Sequence, residues 1–286
     1  MVKNNFFVKS QGLGNDYIVL NSEALSFTLD AKAIKKICDV HYGIGSDGIL
    51  LQTISQQADF GLRIFNPDGS EAEKSGNGLR IYCKYLYDYG YTKSRTFSVE
   101  TAGGTVQAEI LETKNDKAWR IRIAMGKAEF TAIHIPVQSS KTECLDEKIT
   151  VADKEFTIHC VSVGNPHCVV LVDSLDEDEI KKYGPLLETH NIFPRRINVQ
   201  FVKVLSPSES TILIWERGAG YTLASGSSSC AVACILRRKG LGAKEQAIHM
   251  PGGMLQITVD DDWNIYMTGE VEQIAEGVLC WEGEFV

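Results

Sequence analysis

Two hydroxyls stand in matched surroundings along this chain. Ser75 ends the polar run Asn66-Pro67-Asp68-Gly69-Ser70-Glu71-Ala72-Glu73-Lys74 and is followed by Gly76-Asn77-Gly78 and an apolar stretch from Leu79. Ser225 ends Glu216-Arg217-Gly218-Ala219-Gly220-Tyr221-Thr222-Leu223-Ala224 and is followed by Gly226-Ser227-Ser228-Ser229 and an Ala-rich stretch from Cys230. Each reads as a Ser-Gly at the mouth of a helix. The first N–H groups of a helix lack partners and carry partial positive charge, so a carboxylate can settle on them where the residues are small. Two such loops facing each other would make one site with two helix starts and two hydroxyls. Either loop alone is more simply a serine N-cap; the matched pair with matched preludes favours the site.

Other residues of suitable chemistry sit in turns nearby. Glu216-Arg217 follows an apolar strand directly. Arg offers a bidentate fork for a carboxylate and Glu a partner for an ammonium, which together suit a zwitterionic amino acid; a surface ion pair is the plain alternative. Asn15, Asn66, Asn165 and Asn198 fall in turns or at strand ends, where Asn is more often structural than ligand-binding. His167 opens an apolar strand after Asn165-Pro166. A satisfied half-buried imidazole is the simpler reading there, and a proton-relay or orienting role the sharper one.

The elements that must hold these groups repeat in order. The first half reads as strands at Phe6–Lys9 and Tyr17–Leu20, a helix over Ala31–Val40, strands at Asp47–Gln52 and Phe60–Phe65, a helix over Leu79–Tyr89 stopped by Gly90, and a β-rich run of Phe97–Glu100, Thr105–Leu111 and Trp119–Ile123. The second half gives strands at Ile149–Val151, Phe156–Val163 and Cys168–Val172, and a helix near Glu177–Tyr183. Strands at Asn198–Val204 and Thr211–Trp215 follow, then a helix over Ser229–Lys239 ended by Gly240, strands at Gln256–Val259 and Ile265–Met267, and a last strand or two in Glu270–Trp281. This predicts two α+β domains, 1–125 and 126–272, joined near Met125-Gly126-Lys127, with the strand at about 273–286 returning to the first. A ligand is expected in the cleft between such halves.

Composition narrows the function. The chain has 286 residues, 44% hydrophobic, with a formal net charge of −8. An acidic balance without Lys/Arg runs argues against nucleic acid or an anionic membrane as partner. No apolar stretch approaches the roughly 20 residues of a membrane span, and Met1–Phe6 is too short and polar for a signal peptide, so a cytoplasmic protein is expected. The eight cysteines include no Cys-x-x-Cys pair and no zinc-like spacing. Cys230 and Cys234 read as small hydrophobes on one helix. No metal, pyridoxal lysine or nucleotide fingerprint is apparent, so no cofactor is expected.

Ordered motifs along nearly the whole chain resemble the diaminopimelate epimerase family. They are Gly12-Leu13-Gly14-Asn15-Asp16, Gly43-Ile44-Gly45, Phe65-Asn66-Pro67-Asp68-Gly69-Ser70, Gly76-Asn77-Gly78, Gly164-Asn165-Pro166-His167-Cys168, Glu216-Arg217-Gly218-Ala219-Gly220, Pro251-Gly252-Gly253 and Met267-Thr268-Gly269-Glu270. The resemblance implies an α+β fold of two pseudo-symmetric domains, each a mixed or antiparallel sheet around a central helix, with the site in the cleft between them. It implies cofactor-independent two-base epimerisation of LL-diaminopimelate to the meso form, in lysine and peptidoglycan precursor synthesis, and a homodimer. The α-carboxylate would lie at the two helix starts, Gly76-Asn77 and Gly226-Ser227, and the distal end at Asn66, Asn165, Asn198, Glu216 and Arg217, with Asn15 a further contact.

The sequence departs from that pattern where the chemistry is done. The positions of the family's two catalytic cysteines hold Ser75 and Ser225, and a serine hydroxyl needs a neighbouring base to act; His167 and Glu216 are the candidates. Gly48 stands where many members carry Gln, and Tyr221 where they usually carry Glu. Serine at both bases suits either a substrate trap or a diverged relative, and the changes at Gly48 and Tyr221 favour divergence. Two further readings stay open: a racemase of another amino acid, with Gly48 and Tyr221 reshaping the distal pocket, or a non-catalytic amino-acid-binding protein.

Overall fold

The computed structural model describes residues 4–280. Met1–Lys3 and the end of the last expected strand, at Trp281, lie outside them. The chain forms two compact units: unit 1 runs to Ile123 and resumes at Gly269, and unit 2 is Ala124–Thr268.

Unit 1 is built from β1 (Phe6–Gly12), β2 (Asn15–Asn21), α1 (Ala31–Cys38), β3 (Ile49–Thr53), β4 (Phe60–Phe65), the short β5 (Glu71–Ala72), α2 (Gly76–Asp88), β6 (Thr96–Thr101), β7 (Gly104–Lys114) and β8 (Lys117–Lys127). Unit 2 adds β9 (Glu147–Val151), β10 (Lys154–Ser162), β11 (Pro166–Leu171), α3 (Glu177–Glu188), β12 (Asn198–Ser206), β13 (Glu209–Glu216), β14 (Gly220–Thr222), α4 (Gly226–Arg238), β15 (Glu245–Met250), β16 (Gly253–Val259) and β17 (Asn264–Glu270). The last strand, β18 (Glu272–Val278), lies antiparallel along β1.

The repeat extends to strand pairing. In unit 1, β1 pairs antiparallel with β2, β2 parallel with β3, β3 antiparallel with β4, β4 parallel with β6, and β6 antiparallel with β7. In unit 2, β10, β11, β12, β13, β15 and β16 repeat those five relations in the same order. The short strands before each Ser-Gly loop, β5 and β14, fold back antiparallel on β4 and β13. They carry too few residues for an alternating pattern to show in sequence; β15, whose burial alternates over its six residues, is a further strand beyond those expected.

α2 and α4 are the centres of their units. α2 packs on β1, β2 and β7, and α4 on β10, β11, β12, β15 and β16. Every residue from Asn77 to Leu86 is buried, so α2 presents no solvent face where a single apolar face was expected. Both helices start three residues earlier than their apolar runs suggest. Ser75 and Ser225 are extended N-caps, and the glycines and serines after them, loop-formers by propensity, become helical because the caps satisfy the first turn. Both helices then end at a left-handed glycine, Gly90 at φ 74° and Gly240 at φ 71°.

One other expectation is corrected. α3 runs on through Gly184 and Pro185 to Glu188. Tertiary packing holds it there: Gly184 lies so close to Trp215 that a Cβ would stand 2.7 Å from the indole. The division between the units falls within β8, which continues through Met125-Gly126-Lys127. Burying α2 also takes charge inward. Lys84 pairs with Asp88 at 2.8 Å, with side-chain exposures of 7% and 1%, and Lys84 also donates to the Ala118 carbonyl. Asp88 accepts the Ala118 N–H at 2.7 Å.

Removing one member of this pair leaves a buried charge alone. The Asp88→Ala variant is expected to lose about 3–5 kcal/mol of unfolding free energy, measured by urea titration, and Lys84→Met/Asp88→Leu to recover most of it.

Candidate functional site

Each unit carries a serine-capped helix start among its candidate residues. In unit 1, Ser75 Oγ accepts the Gly78 N–H at 3.0 Å and the Tyr17 hydroxyl at 3.3 Å. The helix start is braced by a fully buried arginine that sequence reasoning did not single out. Arg80 reaches back one turn to donate to the Gly76 carbonyl at 3.4 Å and to Asn77 Oδ1 at 2.5 Å. Asn77 Nδ2 approaches Asn15 Oδ1 at 3.4 Å, and Asn15 Nδ2 donates to Asp47 Oδ2 at 2.9 Å. Arg can only donate and a carboxylate only accept, so both ends of this chain fix the orientation of the two amides between them. The guanidinium adds positive charge beneath the α2 N-terminus, where an anion gains from the helix dipole. An arginine four residues after Gly76, at the head of the apolar stretch from Leu79, was the available signal.

Asn66 is placed differently. Its amide donates to Ser70 Oγ at 2.9 Å, while Asp68 accepts from the Ser70 N–H and hydroxyl. Its side chain thus serves the β4–β5 turn, and it shares no hydrogen bond with Ser75, Asn77 or Asn15 among the described residues.

In unit 2, Ser225 is buried and caps α4, its Oγ 3.4 Å from the Ser228 N–H and 3.5 Å from Ser227 Oγ. Ser227 Oγ is in turn 3.5 Å from Asn165 Nδ2. Gly226 packs under Met267, whose sulfur would stand 2.8 Å from an added Cβ. Glu216, at the end of β13, is the acid beside Ser225. Burial pushes its carboxyl above the usual carboxylate range, against hydrogen bonds from Ser225 and Thr222 that pull it down.

His167 is fully buried on β11 with Nε2 2.9 Å from Asn165 Oδ1. Burial drives its imidazole down to about 3, against the pull of Gln200 in the other direction. It is therefore a neutral ring at working pH. Within unit 2 its hydrogen bond goes to Asn165, whereas Glu216 adjoins Ser225.

Arg217 is presented by the β13–β14 hairpin, whose turn uses Gly218 at φ 81° and Gly220 at φ 83°. Asn198 accepts the Arg217 N–H at 3.0 Å and donates to the Pro166 carbonyl at 2.8 Å, tying the hairpin to β11. Glu188, at the end of α3, was missed in sequence. It accepts from Trp215 Nε1 at 2.8 Å and the Gly218 N–H at 3.1 Å, and pairs with Arg196 at 3.3 Å. The Arg217 side chain is exposed and donates to the Arg195 carbonyl. Tyr221 turns toward α3, with the Lys181 ammonium 4.9 Å from its ring centroid and its ring against the core of unit 2. Among the described residues, no group of His, Cys, Asp or Glu side chains is arranged to hold a metal ion, and no helix is long and apolar enough to cross a membrane.

Solved structures share the fold at low sequence identity. A probable proline racemase from Agrobacterium radiobacter aligns with a TM-score of 0.69 at 13% identity, over 97% of this chain and 93% of that one. A PhzF-family phenazine biosynthesis protein from Bacillus anthracis aligns at 0.67 and 14%, over 98% and 100%. The sequence pattern described as Diaminopimelate epimerase matches residues 7–131 and 159–274. "Diaminopimelate epimerase 2" of a Nostoc species is 48% identical over 96% of both chains, and the "Diaminopimelate epimerase" of Acetivibrio thermocellus 40% identical over 95% of this chain and 97% of its own. The chain belongs to the diaminopimelate epimerase family.

The Glu216 environment gives a pH test. Its folded carboxyl holds a proton more tightly than in the unfolded chain, so the native state binds more protons in that window and stability falls as pH rises through it. Glu216→Gln stays neutral throughout. Its urea midpoint is expected to exceed that of the parent increasingly from acid to neutral pH; parallel curves would mean that Glu216 is not held in this buried state.

Proposed function

We propose that this chain is a cofactor-independent amino-acid epimerase that inverts an α-carbon of diaminopimelate, taking LL-diaminopimelate to the meso form. Ser75 and Ser225 stand at the two proton-transfer positions. The observation that carries the reading is the paired half-sites. Each unit ends a matched polar loop in a serine whose Oγ caps the buried central helix, leaving the first-turn N–H groups for a carboxylate. The substrate class comes from the relatives' names, and the Asn15, Asn77, Asn165, Asn198, Glu216 and Arg217 set is of suitable type for an amino acid with a second zwitterionic end.

On this reading Glu216 is the base for Ser225: its carboxylate takes the hydroxyl proton while Ser225 Oγ takes the α-proton of the substrate. The carbanion is held by charge at the helix starts, and Ser75 delivers a proton to the opposite face. A serine hydroxyl is a far weaker acid than a cysteine thiol, so far less of the reactive anion forms and slow turnover is expected from the chain as it stands. One observation favours a second reading, a binding protein without turnover. Both hydrogen-bonding neighbours of Ser75 Oγ in unit 1, the Gly78 N–H and the Tyr17 hydroxyl, are donors, so among the described residues of that unit no base is bonded to it.

Exchange of the diaminopimelate α-proton for deuterium in heavy water, followed by mass spectrometry, separates the readings. Slow exchange by the parent chain and at least about 100-fold faster exchange by Ser75→Cys/Ser225→Cys is expected, the size of a typical general acid–base contribution. Failure of both chains to exchange would exclude the epimerase reading.

A further inference from the structure

We propose that Tyr17 is a positioning residue of the Ser75 half-site: its phenol hydroxyl holds the γ-atom of residue 75 and stabilises that atom in its deprotonated form. This rests on reading residue 75 as a proton-transfer group.

The geometry of Gly48 makes the arrangement possible. A Cβ added at Gly48 would stand 2.4 Å from the Phe65 carbonyl oxygen, 2.8 Å from Tyr17 Cε1 and 3.2 Å from Tyr17 Cδ1. A side chain at position 48 and this tyrosine ring therefore exclude each other. The glutamine of many family members is replaced here by no side chain at all, and an aromatic ring from β2 fills the space. The Gly48 backbone is pinned there, since its carbonyl accepts from the Ile18 N–H at 3.1 Å and from Ser46 Oγ at 2.7 Å. The buried ring ends in a hydroxyl 3.3 Å from Ser75 Oγ. Residue 48 thus acts on the site by its absence, and Tyr17 supplies the polar group.

The electrostatics keep the phenol a donor. Burial pushes Tyr17 up first; the Ser75 hydrogen bond opposes this, and Asp47 and Asp16 push it further up. The other charged groups on surrounding elements are Lys9 on β1, paired with Asp16 at 2.6 Å, and Arg80 on α2, bonded to Asn77. A protonated phenol and the Gly78 N–H together occupy both lone pairs of Ser75 Oγ. The serine's own proton must then point away from both donors, and once it leaves, two hydrogen bonds remain on the anion. Hydrogen bonds to the charged form lower a pKa.

A thiol introduced at position 75 reports this directly. Its alkylation by iodoacetamide is followed by peptide mass against pH in Ser75→Cys and Tyr17→Phe/Ser75→Cys, with exposed Cys280 as internal standard. Phenylalanine keeps the ring in the Gly48 space and removes only the hydroxyl. Loss of one hydrogen bond to the thiolate is expected to slow alkylation of the introduced thiol at neutral pH by about 3–10-fold and raise its midpoint, with Cys280 unchanged. Equal rates and midpoints overturn the proposal, even if the chain turns substrate over. A shift at the introduced thiol supports it even if no exchange of diaminopimelate is seen, in which case it is the proton-transfer reading that fails. In the Ser/Ser chain, Tyr17→Phe is expected to lower kcat for exchange with KM little changed.

Discussion

A helix with a buried body must still satisfy its first-turn N–H groups, and this constraint shapes both units. At α2 and α4 a serine side chain caps the first turn, and the small residues that follow it, half-buried at Gly76, Gly226 and Ser227, lead into the buried body of the helix. A cap accounts for only part of the first turn, because four N–H groups lack intrahelical partners and one side-chain oxygen serves one or two. The donors left over carry the positive end of the dipole. What stabilises the fold and what would hold a substrate carboxylate are thus the same backbone groups, and the plain N-cap reading and the functional one describe a single arrangement.

The two half-sites differ in what surrounds the serine. Ser225 lies beside a half-buried carboxyl, Glu216, whose ionisation is disfavoured by loss of solvent. Ser75 lies between donors, the Tyr17 phenol and the Gly78 amide. On the proposed reading, one hydroxyl would lose its proton to a neighbour and the other would bear charge after losing one. Arg80 adds to the contrast: a fully buried guanidinium bonded to the first turn of α2 strengthens the field for an anion in unit 1. In unit 2 the exposed Arg217 instead sits on a hairpin that Glu188 and Asn198 hold in place.

Much of this was legible in sequence, for physical reasons. The Ser-Gly loops, the strand and helix order and the Glu216-Arg217 turn are local patterns, and local patterns survive without knowledge of the fold. The helix starts were placed three residues late because Gly76-Asn77-Gly78 and Gly226-Ser227-Ser228 resist a helix until a cap and tertiary packing are supplied. Arg80, Glu188 and Tyr17 were not singled out because their roles lie in long-range contacts. Glu188 matters only once α3 ends beside Trp215 and Gly218, and Tyr17 only once β3 brings Gly48 under its ring. Asn66 reads as a ligand by type, yet its amide is spent on Ser70. Tyr221 sits on a site loop in the sequence, and its ring lies beside Lys181 of α3.

The proposed function requires that the chain bind an amino acid charged at both ends, whatever the serines do to the rate. Calorimetric titration of the unmodified chain with LL-diaminopimelate, meso-diaminopimelate and L-lysine tests it most directly, because lysine keeps the chain length and both amines but lacks the distal carboxylate. Saturable, mutually competitive binding of the two diaminopimelates is expected, with lysine at least about tenfold weaker, the 1.4 kcal/mol or more of one lost charged contact. Absence of binding, or lysine bound as tightly as diaminopimelate, would contradict it.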